Sequence, residues 1–122
     1  MYLDTGGFRR GLILKTKFSN EILEFYKNSN NFLRTKVEIT QLISENLNGF
    51  EKEGVPKVAY TLRLDKVEWR QVGVFLKLSA FEFEYEIAVE KVVDMKRHTK
   101  FHYDFYESYN DVFYRKTVIK NI

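Results

Sequence analysis

The stretch "VGVFLKLSAFEFEYEIAVE", residues 72–90, decides the fold. Its apolar residues fall on even positions as Val72, Val74, Leu76 and Leu78, then on odd positions as Phe81, Phe83, Tyr85, Ile87 and Val89. Strict alternation marks a strand with one buried face, so a phase change of one residue requires a structural event at Ser79-Ala80. If these two residues form a turn, Leu78 faces Phe81, Leu76 faces Phe83, Val74 faces Tyr85 and Val72 faces Ile87, and every apolar side chain reaches the same side. The competing reading is one long strand bulged at 79–80, which changes faces as a barrel corner does. Tight hairpin turns favour Gly or Asn, and neither is present at Ser79-Ala80. The shared apolar face still favours the hairpin.

The same alternation continues on both sides. Val58, Tyr60, Leu62 and Leu64 mark a strand, and Phe101, Tyr103 and Phe105 another; "VFYRKTVI" (112–119) follows as the last. Matching apolar faces pairs Val93 with Phe101 and Val89 with Phe105, which sets Glu90 opposite Asp104. A turn at Tyr109-Asn110 then places Tyr106 opposite Phe113 and Asp104 opposite Arg115 on the outer face. Upstream, "LILKTKF" (12–18) reads as a first strand and Ser19 as the cap of a helix to about Asn28, with Ile22, Leu23 and Tyr26 as its stripe. "FLRTKVEI" (32–39) reads as a strand. Thr40 caps a second helix carrying Leu42, Ile43 and Leu47, which Gly49 ends. The expected fold is α+β: a strand-rich antiparallel meander, open or partly closed into a barrel, with two short helices packed on its apolar face.

A chain of 122 residues that is 44% hydrophobic buries one core, so residues 1–122 are read as a single domain. Cysteine is absent, which removes disulfides and thiolate metal sites and fits an intracellular setting. The N-terminus lacks a basic-then-apolar leader, and no apolar run approaches the roughly 18 residues of a spanning helix. The expectation is a cytoplasmic protein that does not engage a membrane. Abundant Lys, Asn, Ile, Phe and Tyr fit an AT-rich genome, in which such small domains are often bacterial or viral accessory proteins.

The net charge of +3 permits an acidic partner, yet the two signs are interleaved along the chain. Catalytic signatures are missing: the chain has no Gly-rich phosphate loop, no HExxH, no zinc spacing and no nucleophile elbow. No cofactor is expected. Three surfaces remain. Glu82, Glu84 and Glu86 project from one strand about 7 Å apart, and the outer-face cluster Tyr106, Phe113 and Arg115 joins them as a candidate protein interface with aromatic anchors and a polar rim. Lys96, Arg97, His98 and Lys100 form a basic loop that, with Tyr106 and Phe113 for base stacking, suits single-stranded nucleic acid. Glu90, His102 and Asp104 form a weaker candidate set for a divalent cation. The leading expectation is a non-enzymatic interaction domain of inhibitor, immunity or adaptor type that docks on another protein. The alternative is nucleic-acid binding, and an unpaired sheet edge would also allow a homodimer.

Overall fold

The computed structural model describes residues 18–70 and 75–122. All but Phe18 of the strand read at 12–18, and the positions Val72 and Val74, lie outside the described residues. Helix α1 runs over Ser19–Lys27 and buries Ile22 and Phe25; of the expected stripe only Ile22 is fully buried, while Leu23 and Tyr26 are half-buried and Phe25 takes the central place. It begins on Ser19 itself, with Phe18 at the capping position and no side chain capping the first turn. The Ser29–Phe32 turn of 3-10 helix follows, and Ser29 Oγ donates to the carbonyl of Tyr26 at 2.7 Å. Arg34 then takes a positive φ of 62° and redirects the chain into the first strand.

Strand β1 spans Lys36–Ser44, β2 Lys57–Arg63, β3 Lys66–Arg70, β4 Phe75–Ala80, β5 Phe83–Ala88, β6 Val92–Thr99, β7 His102–Tyr109 and β8 Phe113–Asn121. They form two antiparallel sheets, a five-stranded one in the order β2-β1-β8-β7-β6 and a three-stranded one in the order β3-β4-β5. Their apolar faces share one core: Leu76, Leu78, Tyr85 and Ile87 from the small sheet cluster with Val37, Ile39, Tyr103, Phe105 and Ile119 from the large one. Helix α1 joins this core, with the Phe25 ring edge-on to Tyr103 and Phe105 at 4.9 Å each, and Tyr26 edge-on to Trp69 at 5.6 Å. Among the described residues no helix is long and apolar enough to cross a membrane.

The broad expectation of a mostly antiparallel β fold with a small helical part agrees with this architecture. Three finer readings are corrected. The second helix, expected from Thr40, is the continuation of β1 to Ser44. The segment is a central strand, hydrogen-bonded to β2 on one side and β8 on the other, and two complete ladders outweigh a weak local helical pattern. The sheet is not one meander, and no closed barrel forms among the described residues. The chain leaves the large sheet at Leu64-Asp65, where Asp65 N–H donates to the carbonyl of Ser79 at 2.8 Å, and returns through the Val89–Lys91 3-10 turn. Third, the hairpin in the deciding stretch is real but turns at Phe81-Glu82, with Ala80 paired to Phe83, Leu78 to Tyr85 and Leu76 to Ile87. Glu82, the second residue of the turn, takes a positive φ of 58°.

Loop 45–56 folds back after β1. Ser44 Oγ donates to the carbonyl of Asn46 at 2.8 Å, and a Cβ on Gly49 would lie 2.4 Å from that same Oγ. Only glycine fits this turn without displacing Ser44. The loop carries Phe50 onto the outer face of the large sheet, where its ring meets Tyr106 at 5.7 Å.

Candidate functional site

The residues read as one interface are divided between different surfaces. In the β7–β8 ladder Asp104 pairs with Val118, Tyr106 with Lys116 and Glu107 with Arg115. This differs from the expected pairing by three residues. An odd shift exchanges the faces, so Arg115 and Phe113 lie on the inner side and Tyr106 and Asp104 on the outer. Arg115 therefore does not meet Asp104, and Phe113 stacks on Tyr109 at 4.8 Å instead of Tyr106. Tyr106 is buried beneath Phe50, with the ammonium groups of Lys96 and Lys116 each 5.4 Å from its ring centre. The acidic row belongs to the small sheet. Glu84 pairs with Lys77 at 2.9 Å and Glu86 with Arg70 at 3.4 Å, while Glu82 sits in the turn. The Lys77 contact holds the Glu84 carboxyl below its ordinary pKa.

Arg115 organises the inner end of the large sheet. Its Nε donates to Glu107 Oε1 at 2.8 Å, its terminal nitrogens reach Glu107, Gln41 and the carbonyl of Glu86, and its guanidinium lies 4.9 Å from the centre of the Tyr85 ring. Glu107 is fully buried and accepts further bonds from Ala88 N–H at 2.9 Å and Tyr109 OH at 2.8 Å. Burial alone would lower the pKa of Arg115; the adjacent Glu107 carboxylate more than reverses this, and the group is held above its ordinary value. Burial, followed by the charge of Glu107, raises the Tyr109 phenol. This network ties the two sheets together, and sequence reasoning missed it because it requires the observed register.

Above the network a cleft of about 470 Å³ opens between the two sheets, lined by Gln41, Tyr60, Glu84, Glu86, Tyr109 and Arg115. The Tyr60 ring of β2 touches Phe83 of β5 at 5.0 Å between centres and closes one end. The edges differ in how they are defended. Strand β6 carries two register breaks and the charges of Asp94, Lys96 and Arg97; β3 is short and holds Lys66, Glu68 and Arg70; β5 holds Glu84 and Glu86. Strand β2, "KVAYTLR", pairs with β1 in unbroken register, has six of its seven residues exposed, and places charge only at Lys57 and Arg63. Val58 is 43% and Tyr60 36% exposed. No strand of the described residues occupies its outer edge.

The basic loop of the sequence reading is part of the β6–β7 hairpin, with Lys96, Arg97, His98 and Lys100 all exposed. Arg97 pairs with Glu24 of α1 at 3.4 Å. Of the expected metal set, His102 and Asp104 come together, but Glu90 is exposed on the 3-10 turn before β6 and its place is taken by His98. His98 Nε2 lies 2.8 Å from Asp104 Oδ2, His102 Nε2 lies 3.5 Å from Asp104 Oδ1, and the two imidazoles stack at 4.2 Å. Burial, then the neighbouring His98, lowers the pKa of His102. The H-x-x-x-H-x-D spacing of residues 98–104 was the available sequence signal, hidden because His98 was read as part of a basic loop.

Comparison with family models, with curated proteins and with solved structures returns no match.

Proposed function

We propose that this chain is a protein-interaction domain that takes up an extended segment of another protein along strand β2. The supporting observation is the contrast among the four sheet edges. Three carry the bulges, charges or shortness that block strand addition, while β2 presents five consecutive uncharged residues, Val58 to Leu62, in regular register. A strand added there supplies main-chain hydrogen bonds for affinity, and alternate side chains reach the cleft beside Tyr60 for specificity.

The ends of β2 select the occupant. Two copies paired antiparallel over all seven residues would set Lys57 against Arg63 at both ends, and Lys36 beside Arg63 adds to the repulsion. A segment with a β-branched, uncharged centre and acidic flanks has the complementary charge. Of the two stacking rings of the nucleic-acid reading, Tyr106 is covered by Phe50, whereas Phe113 is 37% exposed and stacks on Tyr109.

Backbone NMR of the labelled chain, titrated with a nine-residue peptide of alternating Val and Thr flanked by Asp, tests this reading. Shifts centred on the amides of 57–63 are expected, with at least tenfold weaker binding in the Val58→Lys, Tyr60→Lys double variant. Shifts elsewhere, or unchanged affinity in that variant, would remove the assignment. If labelled single-stranded DNA binds instead, with log affinity falling steeply against log salt, the nucleic-acid reading replaces it.

A further inference from the structure

The second cluster lies on the opposite edge of the large sheet and does not depend on docking at β2. In the β6–β7 ladder Arg97 pairs with Tyr103 and Thr99 with His102, so His98 is an extra residue bulged out of β6. By the alternation of the strand His98 follows Asp94 and Lys96 on the outer face, where His102 and Asp104 also project. One ligand atom from each of the three residues lies within 4.8 Å of the others.

We infer that His98, His102 and Asp104 form a site for one borderline transition-metal dication, of the zinc, cobalt or nickel kind. Two observations carry this. Asp104 is 4% exposed, yet its Oδ1 has no hydrogen-bond partner, and it points towards His102 Nε2. A buried carboxylate oxygen without a partner is costly, and a cation between it and the imidazoles satisfies it. The donor geometry is also close. Ligands about 2.1 Å from a tetrahedral metal stand about 3.4 Å apart; His102 Nε2 lies 3.5 Å from Asp104 Oδ1, and His98 Nε2 lies 2.8 Å from the other oxygen, Oδ2. The imidazoles need only slide out of their stack, and both side chains are partly exposed, at 43% and 33%.

The surroundings select the metal. Lys116 Nζ lies 3.9 Å from Asp104 Oδ2, Lys96 pairs with Asp104 across the ladder, and Lys120 pairs with His102. One carboxylate among three lysines cannot attract magnesium or calcium, whose binding relies on several anionic oxygens. Nitrogen donors hold zinc, cobalt and nickel through bonding that these charges weaken without abolishing. Three protein ligands leave the remaining coordination positions to water.

The test is calorimetry of the chelator-stripped full chain with zinc chloride, alongside NMR of the imidazole Cε1–H signals. The chain has two histidines, so each signal is assignable without interference. One zinc ion per chain is expected, with both imidazoles shifting together, at least a tenfold loss of affinity in His98→Ala and in Asp104→Asn, and no heat from magnesium chloride. Asp104 is buried and its variant can unfold the chain; His98 is exposed, so His98→Ala with an unchanged circular dichroism spectrum keeps the result readable. Absence of saturable zinc binding, a shift of one imidazole alone, or unchanged affinity in His98→Ala would overturn the site and leave an ordinary His–Asp pair.

Discussion

Arg115 Nε donates to Glu107 Oε1 at 2.8 Å, and the carboxylate it neutralises is 0% exposed. The pair sits where the large sheet meets the small one, because Arg115 also donates to the carbonyl of Glu86 on β5 and Glu107 accepts from the N–H of Ala88. Breaking it leaves a buried charge rather than a lost surface contact.

Arg115→Leu is therefore expected to destabilise the chain by about 3–5 kcal/mol in urea unfolding, the range for removing one partner of a buried ion pair. Replacing Glu107 and Arg115 together by Met should cost less than that single change, since no uncompensated charge remains. A double variant as costly as the sum of the singles would show that the two residues are not coupled.

Glu82 holds a left-handed φ of 58° in the Phe81-Glu82 turn, a conformation that strains any residue with a Cβ. Glu82→Gly should raise stability by about 0.5–1 kcal/mol, relief of that strain being partly offset by the greater freedom of glycine when unfolded. Glu82→Ala keeps the strain and should gain nothing. The two unfolding midpoints distinguish the turn at 81–82 from one at 79–80.

Phe25 and Leu47 both lie in segments whose sequences read as helical, but their environments differ. Phe25→Ala removes a ring packed edge-on against Tyr103 and Phe105 and should cost about 3–5 kcal/mol. Leu47 lies in the loop after β1 at 38% exposure, and Leu47→Ala should stay within about 0.5 kcal/mol of the parent. Thermal or urea unfolding of the pair checks both.

Burial raises the phenol pKa of Tyr85, Tyr103 and Tyr109 above the ordinary value of 10. The sign follows from linkage: above about pH 10 the unfolded chain releases these protons while the folded chain retains them, so stability is full below pH 10 and falls as pH rises further. Urea midpoints should be level with respect to these tyrosines up to pH 10 and drop beyond it. In Tyr85→Phe the alkaline drop should be shallower, because one raised phenol has been removed.

The alternation of apolar residues by itself determined that the described residues are strand-rich and antiparallel and that 75–88 folds as a hairpin, and the helical period placed Ile22 on a buried stripe. These signals are local, and an error of register that is even leaves them intact. Leu76 pairs with Ile87 rather than Phe83, four residues further along, yet Leu76, Leu78, Tyr85 and Ile87 remain together in the core. The β7–β8 register, odd by three, was different in kind. It exchanged faces, separated Tyr106 from Phe113 and Arg115 from Asp104, and created the Glu107–Arg115 pair.

Tertiary structure alone decided the features on which the functional reading rests. The helix pattern after Thr40 gave way to β1 because hydrogen bonds from two neighbouring strands exceed a propensity of a few tenths of a kcal/mol per residue. The division into two sheets, the place of β2 at an edge among the described strands and the register that brings His98 to Asp104 each depend on which strands meet and how. A period-two pattern states which side of a strand is buried. It does not state what lies opposite, and charge pairs, ligand sets and free edges are properties of what lies opposite.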